Sequence, residues 1–121
     1  MTTKRDIQTR QDLVLILQGF YVDLGEDSRV SKIFEDLDME EHIETISDFW
    51  AGLLLGESNY RGNPFAKHMF MGLEPMHFEV WLHYFRKNID KNFSGRICDA
   101  ALDRAEGIAV NFQRRLGLSR L

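Results

Sequence analysis

The segment that decides the fold spans residues 48–68 and reads DFWAGLLLGESNYRGNPFAKH. Its first half is apolar and ends at Gly56, a residue type that often terminates a helix. After a short polar stretch, Asn63 and Pro64 suit the N-cap and the first residue of a new helix. The pattern therefore predicts a long helix, a turn and a very short helix with a single histidine, His68, at its end.

The composition narrows the class of protein. A chain of 121 residues is enough for one domain, and we expect residues 1–121 to form a single one. The net charge of −4 argues against a nucleic acid or an anionic membrane as partner. We expect a cytoplasmic protein, because no signal peptide or membrane-spanning run is visible and the single Cys98 fits a reducing compartment. Nine Phe, three Tyr and two Trp favour a pocket for a large flat ligand.

Apolar residues recur at helical spacing along the chain, which predicts an all-α fold without a sheet. The first helix carries a stripe of Leu13, Leu17, Phe20 and Leu24. A second, shorter helix is predicted from residue 28 to about residue 37, and a third begins after Asp38, whose spacing to Glu41 suits a capping box. Its face carries His42, Ile46, Phe49, Trp50 and Leu53. Pro75 opens a long helix, and the last helix starts at residue 94 or 95.

The four histidines, His42, His68, His77 and His83, do not form a recognisable metal cluster. His77 follows Glu74 at the three-residue spacing used in di-iron bundles, but such bundles need a second Glu-x-x-His pair, which is missing. A zinc site is disfavoured too, because His68, His77 and His83 stand nine and six residues apart and do not share a helix face. An isolated helical histidine is more often a surface or hydrogen-bonded residue than a ligand.

Tyr21, His42 and Trp81 are polar groups on or beside the apolar faces of three different helices. Such groups must find partners or lose free energy on burial. One interpretation is that Tyr21 and Trp81 are ordinary core aromatics with satisfied polar tips. The other is that the three residues, with the isolated His68, line a pocket for a partly negative ligand. Residue patterns alone leave both interpretations open.

Longer motifs resemble a known family. They are the segment FWAGLLLG at residues 49–56, Tyr60-x-Gly62-x-Pro64-x-x-x-His68, and His77-Phe78-x-x-Trp81-Leu82-x-x-Phe85. In this order and spacing they are similar to the group III (P) truncated haemoglobins. The resemblance extends from about residue 11 to residue 116, although residues 69–74 lack the Leu-Pro pair that commonly follows the histidine in that family.

The resemblance implies a globin-like, truncated two-over-two helical sandwich around haem b. It implies that His68 is the proximal iron ligand and that Tyr21, His42 and Trp81 stabilise a ligand on the distal side. The same resemblance implies a wider set of haem contacts. Phe34 and Ile46 would lie against the ring. The residues near the propionates would be Trp50, Tyr60, Arg61 and Lys67.

The resemblance, together with these polar distal residues, implies binding of O2, NO, CO or a similar small ligand. It also implies tight O2 binding and redox chemistry on O2, NO or peroxide. Such chemistry needs an electron donor or reductase as partner. The resemblance leaves open whether the protein is an enzyme with NO dioxygenase-like or peroxidase-like activity, or a haem-based ligand binder or sensor without turnover. We expect a monomer.

Overall fold

The computed structural model describes residues 3–57, 62 and 72–118. These residues form four α-helices: α1 (Arg10–Glu26), α2 (Met39–Leu55), α3 (Pro75–Asn92) and α4 (Arg96–Arg115). A 3₁₀ helix covers Ser31–Phe34. The described residues contain no β-strand and only one isolated bridge, between Arg5 and Phe93, so the all-α prediction is confirmed.

The helices pack as two pairs. Helix α1 lies against α2, and α3 lies against α4, while α1 also packs on α3 and joins the two pairs. Helices α1 and α3 approach closely at Gly19, where an added Cβ would lie 2.4 Å from Oδ1 of Asn88. The Asn88 amide is buried and donates to Asp23 over 3.0 Å, so the crossing also contains a polar link between the two helices.

The predicted ends of α2 and the predicted start of α3 are confirmed. The Asp38 side chain accepts the backbone N–H of Glu41 over 3.2 Å and caps α2. Gly56 ends α2 with a φ of 74°, a conformation that favours glycine. Helix α3 begins at Pro75, which has no N–H to leave unpaired in the first turn.

The predicted helix over residues 28–37 is wrong, because an α-helix does not form there and only the 3₁₀ turn Ser31–Phe34 does. The cause is the anchoring of Asp27. Its carboxylate accepts the Arg29 backbone N–H over 3.0 Å and the Tyr84 hydroxyl of α3 over 2.8 Å. The bond from Tyr84 ties Asp27 to α3, and the bond from Arg29 favours a tight local turn. The spacing of apolar residues alone does not reveal either bond.

An aromatic cluster joins three of the helices. Trp50 of α2 stacks on Phe85 of α3 with a centroid distance of 4.9 Å, and Trp81 stacks on Phe85 with an interplanar angle of 1°. Phe20 of α1 meets both Trp81 and Phe85 edge-on. Offset stacking and edge-to-face contacts are the favoured geometries of aromatic pairs, so the cluster holds these helices in a defined arrangement.

The N-terminal segment binds to the first turns of α1 and α4 through its side chains. Asp6 accepts the N–H groups of Ile97 and Cys98 over 2.8 and 3.0 Å and so caps α4. Gly95 precedes this cap with a φ of 146°, and a Cβ there would lie 2.5 Å from the Asp6 carboxyl carbon. Burial raises the pKa of the Cys98 thiol to about 11, so this buried cysteine stays protonated.

Arg5 and Asp12 form a salt bridge that joins the N-terminal segment to α1. The Arg5 guanidinium donates to both carboxylate oxygens of Asp12, over 2.8 and 2.5 Å, and the backbone N–H groups of Gln8 and Thr9 donate to the same carboxylate. The Arg5 bonds are the main reason that the pKa of Asp12 is held far below its usual range.

No helix among the described residues is long and apolar enough to cross a membrane.

We expect Asp12→Asn to lower the free energy of unfolding by about 1–3 kcal/mol at pH 7, since it weakens several hydrogen bonds to a buried charge. Because the folded pKa is depressed, Asp12 stabilises the protein fully above its unfolded pKa of about 4, and this contribution is lost as the pH falls further. Urea unfolding from pH 7 to pH 2.5 should therefore show the two proteins converging below about pH 4. A constant difference over that range would contradict the assignment.

Candidate functional site

A cavity of about 300 Å³ lies among the 3₁₀ helix and all four α-helices. Its size is at the lower end of the range of small-molecule sites. Most of its lining is aliphatic or aromatic, which suits a flat apolar ligand, and a few polar groups face it. The lining includes Phe20, Tyr21, Phe34, His42, Thr45, Ile46, Trp50, His77, Phe78 and Trp81.

Tyr21 and His42 form a hydrogen bond at this cavity. The Tyr21 hydroxyl lies 2.9 Å from Nε2 of His42, and their rings meet edge-on with centroids 4.8 Å apart. Tyr21 is only 8% exposed, and burial raises the pKa of its phenol well above the ordinary value. The phenol therefore remains protonated at neutral pH and keeps a hydrogen to donate.

Trp81 faces the same cavity from α3. Its ring is held by the parallel stack on Phe85, with centroids 5.7 Å apart, and by the edge of Phe20 at 6.1 Å. No hydrogen bond to its indole N–H is found among the described residues. The cavity thus receives a tyrosine from α1, a histidine from α2 and a tryptophan from α3, which is the shared pocket of the second interpretation that the sequence left open.

Other predicted contact residues also line the cavity. Phe34 lies beside Tyr21 with ring centroids 5.7 Å apart, and Ile46 follows His42 by one helical turn. Trp50 is 2% exposed and stacks on Phe85. The remaining predicted site residues, Tyr60, Arg61, Lys67 and His68, lie outside the described residues.

Two polar lining residues were not predicted as part of the site. Thr45 lies on α2 between His42 and Ile46, on a part of the helix that the apolar stripe does not include. The family-like motif includes His77 but assigns it no haem contact, yet it lines the cavity one turn before Trp81. The four-residue spacing from His77 to Trp81 places both on one face of α3 and could have revealed that His77 lines the cavity.

The described residues contain no group of three or more His, Cys, Asp or Glu side chains that could hold a metal ion.

The arrangement can hold a flat ring and contact a small ligand above it. The aromatic lining offers ring faces and edges for stacking, while Tyr21, His42 and Trp81 place O–H and N–H groups at the same cavity. These features would fit a flat, largely apolar macrocycle such as a porphyrin.

Comparison with known proteins agrees with this geometry. The family model for bacterial-like globins matches residues 6–113. The group 3 truncated haemoglobin ctb of Campylobacter jejuni is 32% identical over 114 residues, which cover 88% of this chain and 90% of that protein. The crystal structure of the group III truncated haemoglobin from Campylobacter jejuni has a TM-score of 0.86 at 30% identity and covers 94% of this chain and 95% of its own.

A more distant structure supports the fold alone. The truncated haemoglobin of Tetrahymena pyriformis, in its Fe(III) form, has a TM-score of 0.69 at 23% identity and covers 89% of this chain and 90% of its own.

Because of the family-model match and the similarity to the Campylobacter jejuni protein, the chain belongs to the bacterial-like globins and, within them, to the group III truncated haemoglobins. Its fold is the globin-like all-α fold, its cofactor is haem b, and its ligands are small diatomic molecules.

The Tyr21–His42 bond should be visible in a double-mutant cycle on stability. His42→Leu leaves the buried Tyr21 hydroxyl without this partner, which costs about 1–3 kcal/mol. Adding Tyr21→Phe removes that hydroxyl as well, so the double variant should lose less than the sum of the two single losses, by about 0.5–1.5 kcal/mol. Urea unfolding of the four proteins measures the coupling. Additive losses would show that the bond contributes nothing to folding.

Proposed function

We propose that this protein holds a haem through His68 and uses Tyr21, His42 and Trp81 to retain a diatomic ligand for redox chemistry. The observation that carries the proposal is the convergence of three polar side chains from three helices on one largely apolar cavity. Membership of the truncated haemoglobins supports the cofactor, and the family-like motif that ends in His68 supports the ligand.

His68 is the proposed proximal ligand. Its neutral imidazole nitrogen would hold the haem iron, and the haem would supply reversible binding of O2, NO or CO. His42 is not the proximal ligand in this proposal, because its Nε2 lies 2.9 Å from the Tyr21 hydroxyl, at the polar group of the cavity.

The donor role of Tyr21 depends on the tautomer of His42. When His42 carries its proton on Nε2, it donates to the Tyr21 oxygen, and the phenol hydrogen is free to point to a ligand in the cavity. When Nε2 is unprotonated, the phenol donates to His42 instead. The pair can therefore give its hydrogen to the ligand without leaving the phenol oxygen unpaired.

Trp81 supplies the second proposed donor. The stack on Phe85 and the edge contact with Phe20 limit the orientations of the indole, so little side-chain freedom is lost when its N–H meets a ligand. A hydrogen bond to a charged acceptor stabilises by about 1.5–3 kcal/mol, so two donors slow ligand release by about a hundredfold or more.

Slow release suits capture and conversion of a ligand better than its transport. The favoured function is therefore redox chemistry on O2, NO or peroxide, of the NO dioxygenase-like or peroxidase-like kind, with a reductase as electron donor. The alternative is a ligand binder or sensor without turnover. Sustained consumption of NO in the presence of O2 and a reductase would favour the first, and binding without consumption the second.

The other predicted contact residues surround the haem ring in this proposal. Phe34 and Ile46 contact the haem ring, since both line the cavity beside the Tyr21–His42 pair. To the propionate end of the haem we assign Trp50 and three residues outside the described part of the chain, Tyr60, Arg61 and Lys67, as the family resemblance implies. We further propose that residues 1–121 form one domain and act as a cytoplasmic monomer.

His68→Ala tests the iron ligand. We expect the variant to lose the Soret band of the parent protein, because no other side chain is assigned to the proximal position. Absorption spectra of both proteins after reconstitution with haemin provide the measurement. Haem bound with unchanged iron coordination in the variant would reject His68 as the ligand.

Tyr21→Phe tests the distal donor. Losing one hydrogen bond to a partly charged ligand should speed O2 dissociation by about tenfold. Stopped-flow measurement of O2 release gives the rate, and Trp81→Phe serves as the matched variant for the second donor. If Tyr21→Phe leaves the rate unchanged while Trp81→Phe raises it, Trp81 is the principal donor and the role given to Tyr21 is wrong.

A further inference from the structure

Within the part of the chain that the structure describes, few lining groups of the cavity could neutralise acidic substituents of its ligand. Among the described lining residues there is no lysine or arginine, and the basic side chains are His42 and His77. His42 is bonded to Tyr21. Haem b carries two carboxylates, which need hydrogen-bond donors where the ring meets the protein surface. His77 is thus the imidazole of the described lining that does not belong to the Tyr21–His42 pair.

His77 lies at the rim of the cavity. It is half-buried in the first turn of α3, between the exposed Glu74 and Pro75 on one side and the buried Phe78 on the other. Trp81 follows one turn later on the same face and also lines the cavity.

The proton of His77 has a defined position. The backbone N–H of Glu74 donates to Nδ1 of His77 over 2.8 Å, so Nδ1 is an acceptor and the ring proton lies on Nε2. The same bond fixes the ring against the start of α3. The opposite ring nitrogen is therefore an oriented N–H donor, which is the type of group that a carboxylate requires.

We propose that Nε2–H of His77 donates a hydrogen bond to a propionate of the bound haem. This proposal rests on the proposed haem site and adds a residue to which the motifs assigned no haem contact. His77 then positions the ring from its edge and does not touch the iron. The Glu74 backbone acts through His77 by holding the imidazole in the donating tautomer.

The test compares haem loss from variants with two porphyrins. The parent protein, His77→Leu and His77→Glu are reconstituted with iron protoporphyrin IX and with its dimethyl ester, whose esterified propionates carry no charge. Transfer to excess apomyoglobin measures the rate of haem loss. His83→Leu is the matched control, because His83 is an exposed histidine of the same helix that does not line the cavity.

With the natural porphyrin, His77→Leu should lose haem about tenfold faster than the parent, as expected for one hydrogen bond to a carboxylate. His77→Glu can still accept the Glu74 N–H but brings a negative charge to the rim, so it should lose haem faster still. His83→Leu should match the parent. With the dimethyl ester, all four proteins should agree within about twofold, because the charged acceptor is absent.

Three results would overturn the proposal. Equal loss rates for His77→Leu and the parent with the natural porphyrin would show that no such bond forms. A rate difference that persists with the ester would show that His77 acts only on the start of α3. A changed ferrous absorption spectrum in His77→Leu would make His77 an iron ligand instead. In each case, haem uptake by the parent protein and the spectrum of His68→Ala still decide the proposed function separately.

Discussion

The stacking of Trp50 and Trp81 on Phe85 is the contact on which the cavity depends. Close packing normally fills a protein interior, and a domain of this size can leave a space open only where rigid side chains brace its walls. Aromatic rings do this well, because they bury a large area with few rotatable bonds. Phe20 adds α1 to the brace through edge contacts, so three helices are held around the space without closing it.

Two kinds of polar group occupy different parts of this apolar cavity. The Tyr21–His42 pair is at least partly buried, and its two members satisfy each other until a ligand arrives. His77 lies near the exposed start of α3, where its imidazole is oriented by the backbone of Glu74. This separation matches the needs of a ring that carries a reactive centre in its middle and acidic substituents at one edge.

Much of this arrangement could be predicted from the sequence, and the failures have physical causes. Local signals placed the ends of α2 and the start of α3, because caps and proline act within a few residues. The helix expected over residues 28–37 did not form, since the bond from Tyr84 to Asp27 joins positions 57 residues apart. Periodicity likewise put Tyr21 and His42 on inward faces but could not show their pairing, which depends on how α1 meets α2.

The pairing has a consequence for ligand chemistry that single residues would not have. A tyrosine that donates to a ligand becomes a better acceptor at its own oxygen, and His42 is placed to donate there. The hydrogen bonds from His42 to Tyr21 and from Tyr21 to the ligand therefore strengthen each other. A phenylalanine at position 21 would remove both bonds, whereas an apolar residue at position 42 would leave the phenol able to donate, but less strongly. The histidine thus acts on the ligand through the tyrosine, and ligand retention depends on the pair as a unit.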